Sequence, residues 1–134
     1  MLKKILSGID ADIPERSADI EIDRVTDDSR AAGRGSLFIA VKGCARDGAK
    51  YINDAIARGA AAIISQEDFP NKKNVVKMLV SDSRDALSRA AANIYGRPSD
   101  ALKTVGITGT NGKTTITYII ESIIRRAEIG RAHV

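Results

Sequence analysis

The residues best suited to chemistry in this chain are Gly109-Thr110-Asn111-Gly112-Lys113-Thr114-Thr115, placed between the apolar run LKTVGITGT and an amphipathic stretch. Glycines let a backbone curl until successive N–H groups point inward. A helix starting at that point adds its partial positive charge, and the two together make a cradle for phosphate oxygens. Lys113 would bridge the outer phosphates of a nucleotide and offset charge as a phosphoryl group leaves, while Thr114 would offer its hydroxyl to Mg²⁺. The spacing departs from the usual GxxxxGK[ST] pattern, because Ile107 stands where that pattern has its first glycine. Gly106 and Gly109 flank the position instead.

A second group, Thr26-Asp27-Asp28-Ser29-Arg30, closes a strand-like segment. Two readings stay open from the residues alone. It is a polar turn in which Asp28 accepts backbone N–H bonds and Arg30 pairs with an acid, or it is a ligand contact. The segment Gly43 to Gly48, GCARDG, reads as a loop with Asp47 as a helix cap. Cys44 lacks the histidine and orienting acid that a nucleophile needs, since the only histidine is His133 at the far end of the chain.

The elements that must position these groups follow from hydrophobic period. Leu2 to Ser7 reads as a short helix, and Ile20, Ile22 and Val25 alternate with charge as in a half-buried strand. SLFIAVKG is a compact apolar run and predicts a buried strand. After Asp47-Gly48, helical spacing of Ile52, Ala55 and Ile56 runs to a C-cap at Gly59. AAIISQ and VVKMLV predict two more strands around the polar turn FPNKKN. Ser81 or Ser83 is expected to cap a helix with Leu87, Ala90, Ala91 and Ile94 on its packing face, stopped by Gly96 and Pro98. LKTVGITGT then predicts a strand into the glycine loop, and Thr114 to Arg126 a helix packing through Ile116, Ile119, Ile120, Ile123 and Ile124. Strands alternating with helices make this an α/β chain.

Composition narrows the function classes. With 134 residues, 43% hydrophobic and 28% charged, the chain has material for one ordinary core and is not disordered. The net charge of +4 is not gathered into a basic stripe with aromatics, so no nucleic-acid partner is expected. No apolar run approaches a bilayer span and the N-terminus lacks a secretory core, so neither membrane nor export is expected and the compartment is cytoplasmic. A lone Cys44 excludes an internal disulfide. Gly96 to Lys103 reads as a linker, and the single strand, loop and helix beyond it are too little to enclose a core.

Taken in order, DDSR, GSLFIAVKG, DGAKYINDAIARGAAAII and IYGRPSDALKTVGITGTNGKTT resemble the N-terminal part of a Mur ligase, over Leu2 to about Ala127. DSR and LFIAVKG are shared with the members that add D-alanyl-D-alanine, so they mark the family and not the member. YGRPSDALKTVGITGTNGKTTITY is closer to the members that add the third residue of the peptidoglycan stem peptide than to those that add D-alanyl-D-alanine. A folylpolyglutamate synthetase relative would share the loop but lack DSR and LFIAVKG.

The resemblance implies a small N-terminal α/β domain for a uridine-linked substrate over residues 1–98. Residues 99–127 would then begin a truncated central ATPase domain. Asp27 and Ser29 match contacts to the uridine nucleotide, and Cys44, Ala45 and Arg46 match the loop around the uracil, although the family often carries histidine or another polar residue at Cys44. Gly109, Thr110, Asn111, Gly112, Lys113, Thr114 and Thr115 match the ATP loop. The implied reaction phosphorylates UDP-N-acetylmuramoyl-L-alanyl-D-glutamate with ATP and Mg²⁺, and the amine of a diamino acid then displaces phosphate. The magnesium-binding glutamate, carbamylated lysine and amino-acid pocket of the family have no counterpart here, so the chain is expected to be an inactive fragment. Residues 128–134 stop resembling the family and read as an artefactual tail, with no role for His133.

Overall fold

The computed structural model describes residues 2–14, 20–43, 47–70, 72 and 74–127. The chain divides into two compact units, Met1–Arg97 and Pro98–Val134.

The first unit is built on a four-stranded sheet in the order β1-β2-β3-β4, with β1 at Arg24–Thr26, β2 at Ser36–Ala40, β3 at Ala62–Ser65 and β4 at Val76–Leu79. Every neighbouring pair is parallel, with Val25 opposite Leu37, Phe38 opposite Ile63 and Ile64 opposite Met78. A parallel sheet is covered on both faces, so its inner strands read as continuous apolar runs. β2 and β3 are buried at every residue. Because side chains alternate across a strand, the two runs feed two separate cores. Leu37, Ile39, Ala62, Ile64 and Met78 face one side, packed with Leu2 and Ile5 of α1 (Leu2–Ile5) and Ala86 and Ala90 of α3 (Ser83–Ile94). Phe38, Ala40 and Ile63 face the other, packed with Ile52 and Ala55 of α2 (Ile52–Ala57) and with Phe69. Each fully buried side chain of this size contributes about 1.5–3 kcal/mol of transfer free energy.

Local detail departs from the sequence reading in identifiable places. The strand expected through Ile20 shortens to Arg24–Thr26, with Ile22 still buried and Ile20 packed against the first core. Asp47 caps a 3-10 turn, Gly48–Tyr51, by accepting the Ala49 N–H at 3.0 Å, and α2 begins only after it. The cap of α3 is Asp82 rather than Ser81 or Ser83. Its Oδ1 accepts the N–H groups of Arg84 and Asp85 at 2.8 and 3.1 Å, and its extended backbone suits the cap position. The most buried residues of α3 are Ser83, Ala86, Ala90 and Asn93, one step round from the expected face. Asn93 is buried because its Nδ2 donates to the carbonyls of Ile5 and Ser7, at 2.9 and 2.8 Å, tying α3 to the end of α1.

The second unit holds a 3-10 turn at Pro98–Ala101 and α4 at Lys113–Arg126. LKTVGITGT is not a strand: no strand is assigned between Leu102 and Thr110, and Val105 is 63% exposed. A strand satisfies its backbone groups only through a neighbour, and the second unit contains no other strand among the described residues. The isoleucine side of α4 is likewise uncovered, with Ile116, Ile119 and Ile123 exposed and Ile120 and Ile124 half-buried. The tail read at 128–134 lies outside the described residues.

Candidate functional site

In open parallel sheets, ligands sit in the crevice beyond the carboxyl ends of the strands. The first unit has such a crevice, an open cleft of about 640 Å³ at the ends of β1 and β2. The turn after β1 supplies Asp27, Asp28, Ser29 and Arg30. The segment after β2 supplies Val41 and Gly43, and Gly48, Tyr51 and Asp54 close the wall from the 3-10 turn and α2.

The turn after β1 is braced from within. Thr26 Oγ1 accepts the Asp28 N–H at 3.0 Å, and Asp28 Oδ1 accepts the Arg30 N–H at 2.9 Å. The Arg30 guanidinium grips the same carboxylate as a fork, Nε to both oxygens and Nη2 to Oδ2 at 2.7 Å. Arg24 Nη1 donates to the carbonyl of Ala31 at 3.2 Å, closing the far side. The Arg30 fork first, and the Arg30 N–H next, hold the Asp28 carboxyl down to about 2. The Arg30 guanidinium is raised in turn by Asp28. The polar-turn reading holds, with Asp28 and Arg30 making the turn, and the same turn places Ser29 and Asp27 at the cleft. Ser29 is buried and Asp27 is exposed.

The opposite wall depends on a close backbone approach. The Gly48 N–H donates to the Val41 carbonyl at 3.0 Å, and Lys42 and Asp47 form an isolated antiparallel bridge. A Cβ on Gly48 would stand 2.6 Å from the Val41 nitrogen and 2.8 Å from its oxygen, so only glycine fits. The sequence reading assigned Cys44, Ala45 and Arg46 to the site, and these lie outside the described residues. It did not assign Val41, Gly43, Gly48, Tyr51 or Asp54, and it treated Arg30 only as an ion-pair partner. Gly48 was visible in the Asp47-Gly48 pair, and Tyr51 as one of three tyrosines in an aromatic-poor chain. Nothing local pointed to Asp54, which α2 carries to the cleft.

In the second unit the loop Gly109 to Gly112 runs directly into α4. Gly109 has φ 146° and Gly112 φ 77°, both in the region that glycine alone adopts readily. Gly112 occupies the cap position of α4 without a side chain, and its carbonyl accepts the Ile116 N–H at 3.0 Å. The first N–H groups of the helix are thus not taken by a capping side chain. Lys113 folds back so that its ammonium donates to the carbonyls of Gly109 and Thr110. Thr110, Asn111, Thr114 and Thr115 are exposed along the same loop and first turn. Among the described residues no group of three His, Cys, Asp or Glu could hold a metal ion alone, and no helix is long and apolar enough to cross a membrane.

A family model described as Mur ligase family, catalytic domain, matches residues 21–95. The chain is 39% identical over 127 residues to the UDP-N-acetylmuramoyl-L-alanyl-D-glutamate–2,6-diaminopimelate ligase of Clostridium perfringens, covering 95% of this chain and 26% of that protein. It is 46% identical over 112 residues to the protein of the same name from Geobacter sulfurreducens, covering 84% and 22%. Among solved structures it resembles the UDP-N-acetylmuramoylalanyl-D-glutamyl-2,6-diaminopimelate–D-alanyl-D-alanyl ligase of Acinetobacter baumannii, with TM-score 0.63, 28% identity and coverage of 92% and 27%. It also resembles the MurF ligase of Thermotoga maritima in complex with ADP, with TM-score 0.54, 30% identity and coverage of 81% and 24%. The chain spans about a quarter of the length of the curated relatives it matches.

Proposed function

This chain belongs to the Mur ligase family, and on that premise we propose that it is the front part of a cytoplasmic, ATP-dependent ligase of peptidoglycan precursor synthesis. Its substrate is UDP-N-acetylmuramoyl-L-alanyl-D-glutamate and its second substrate a diamino acid. The names of its relatives support this choice. Residues 1–98 hold the uridine end of the substrate, and residues 99–127 open the ATP domain.

The single observation carrying the reading is the cleft at the carboxyl ends of β1 and β2, whose turn presents Ser29 and Asp27 beside a glycine-fitted wall. A uridine ring offers an imide N–H and two carbonyls. A carboxylate can accept the imide N–H and a hydroxyl can donate to a carbonyl, and Tyr51 offers a flat apolar surface. Binding the far end of a long substrate lets that energy orient the distant reacting carboxylate.

In the reaction itself, a carboxylate oxygen of the D-glutamyl residue attacks the γ-phosphorus of ATP, and the bond to ADP breaks. The diamino acid's amine then attacks the acyl carbon, the C–O bond to phosphate breaks, and phosphate leaves as the new amide forms and the amine loses a proton. Gly109 to Thr115 cradle the phosphates with backbone N–H groups, and Lys113 exchanges the Gly109 and Thr110 carbonyls for phosphate oxygens. Thr114 would contribute a hydroxyl to Mg²⁺. The fit is chemical: an oxygen donor in the first turn, with no carboxylate cage among the described residues, matches an ion held mainly by substrate phosphates. When bound, the ion neutralises phosphate charge.

Calorimetric titration of the chain with UDP-N-acetylmuramoyl-L-alanyl-D-glutamate tests the first half: it should bind, and Ser29→Ala should weaken it. No heat with any uridine nucleotide would sink the reading. For the second half, Lys113→Ala in the protein carrying the complete ATP domain should abolish phosphate release without unfolding it. The D-alanyl-D-alanine-adding reaction is a second reading, favoured by the solved structures this chain resembles. The uridine-linked peptide that the complete enzyme consumes separates the two.

A further inference from the structure

Ser83 is fully buried on α3, far in sequence from the cleft, and makes no part of its lining. A serine in the first turn of a helix ordinarily turns to its own backbone. This one has two distant partners instead. Its hydroxyl donates to Gln66 Oε1 at 2.7 Å and accepts the Lys42 N–H at 3.2 Å. Gln66 is itself held in this orientation, its Nε2 donating to the Ser81 carbonyl at 2.8 Å. The amide orientation is therefore set, the Ser83 proton must point to Gln66, and its lone pair is left facing Lys42.

Lys42 stands between Val41 and Gly43, both of which line the cleft, and just past the end of β2 where the ladder no longer serves its N–H. Its ammonium is anchored to Glu67 at 2.6 Å. On the other side, Val41 is held by the Gly48 N–H and Lys42 by its bridge to Asp47. The wall is thus pinned from two directions, by Gly48 in front and by Ser83 behind.

We infer that Ser83 is a positioning residue for uridine-nucleotide binding, acting through the Lys42 amide to fix the Val41–Gly43 wall of the cleft. The inference rests on the reading of the cleft given above. Its test is calorimetric titration of the chain with UDP, alongside amide exchange at Lys42 and the amide resonances of Gly43 and Gly48. Ser83→Ala should speed Lys42 exchange, move both glycine resonances and weaken UDP binding roughly five- to tenfold, the worth of one buried hydrogen bond. Gln66→Met, at an exposed position, should give a smaller change of the same sign with folding intact. Asp82→Ala removes the cap of the same helix but leaves the Lys42 bond, and should hold UDP affinity within about twofold of the unaltered chain.

Equal weakening by Ser83→Ala and Asp82→Ala would reduce Ser83 to a stability role and overturn the inference. So would Ser83→Ala binding UDP like the unaltered chain. Should Ser83→Ala not fold, Gln66→Met decides, and unchanged affinity or unchanged Lys42 exchange there overturns the inference. An unaltered chain that ignores UDP overturns the cleft reading itself and the inference with it. That result is distinct from intact binding indifferent to Ser83.

Discussion

Two apolar runs in this chain look alike in sequence and differ in structure. SLFIAVKG becomes a strand buried at every residue from Ser36 to Ala40, whereas LKTVGITGT, of similar length and also containing glycine, has no strand and leaves Val105 exposed. The first lies between β1 and β3, which satisfy its backbone, and between α3 and α2, which cover its faces. The second has no such neighbours among the described residues. Strand character is thus a property of the sheet, while an apolar run is only eligible for it. The glycine loop after the second run keeps its form regardless, because φ 146° at Gly109 and 77° at Gly112 are local consequences of glycine and need no neighbour.

The comparison is sharpest where the first run is damaged. Ile39→Ala removes a fully buried side chain from the larger core and should cost about 2–5 kcal/mol. Set against a total of about 5–15 kcal/mol for a domain, that shift will be plain in a urea unfolding curve. A cost under about 1 kcal/mol would mean that the core can collapse around the gap. Gly48→Ala comes next. A Cβ there meets three backbone atoms of Ala40 and Val41 within 2.9 Å, and overpacking of this kind costs about 1–3 kcal/mol. Since Gly48 also forms the cleft wall, UDP affinity should fall more than the stability loss alone explains, as calorimetry on the still-folded fraction would read.

Asp82→Ala should cost about 1 kcal/mol through loss of the α3 cap, measured as a smaller urea shift with near-unchanged UDP affinity. That Asp82 and not a neighbouring serine does this shows where the sequence was legible and where it was not. Ser81, Asp82 and Ser83 are all competent caps, and the choice falls to the residue that the end of β4 leaves in extended backbone while Ser83 is drawn inward by Lys42 and Gln66. The inner strands were readable because burial on both faces writes an unbroken apolar run. The glycine loop was readable because it is a short local pattern, while Ser29 entered only through the family resemblance of DDSR. Arg30, Tyr51 and Asp54 came together only through the parallel order of β1 and β2, and Asn93 was buried only because α1 ends beside it. Such pairings are long-range, and no window of sequence contains them.

Acid provides a gentler probe of the turn that carries Ser29. The Asp28 carboxyl ionises at about 2 in the folded chain against 3.8 normally, chiefly through the Arg30 fork. A depressed carboxyl contributes stability that is complete above its unfolded value and is lost as pH falls through the folded one. Between pH 3.8 and about 2 the unaltered chain should therefore lose stability that Asp28→Asn never had. The difference between their urea midpoints should be constant above that window and shrink within it. A difference that stays constant down to pH 2 would mean the fork is absent in solution.

The smallest effect is expected from the second run, and it tests the comparison most directly. Val105 is 63% exposed in a stretch without strand pairing, and exposed substitutions away from caps and cores shift stability by about 0.5 kcal/mol or less. Val105→Ala should therefore leave the urea midpoint where it was, although the same truncation of a strand residue in the first run would be severe. A loss approaching that of Ile39→Ala would show that the run is packed in this chain after all, and the contrast with SLFIAVKG would dissolve. If instead the substitution is silent here but costly in the protein that carries the remaining length of its relatives, the same residues become a strand once they have neighbours. What distinguishes the two runs is then the company each one keeps, and the glycine loop between the second run and α4 would gain its rigid support at the same step.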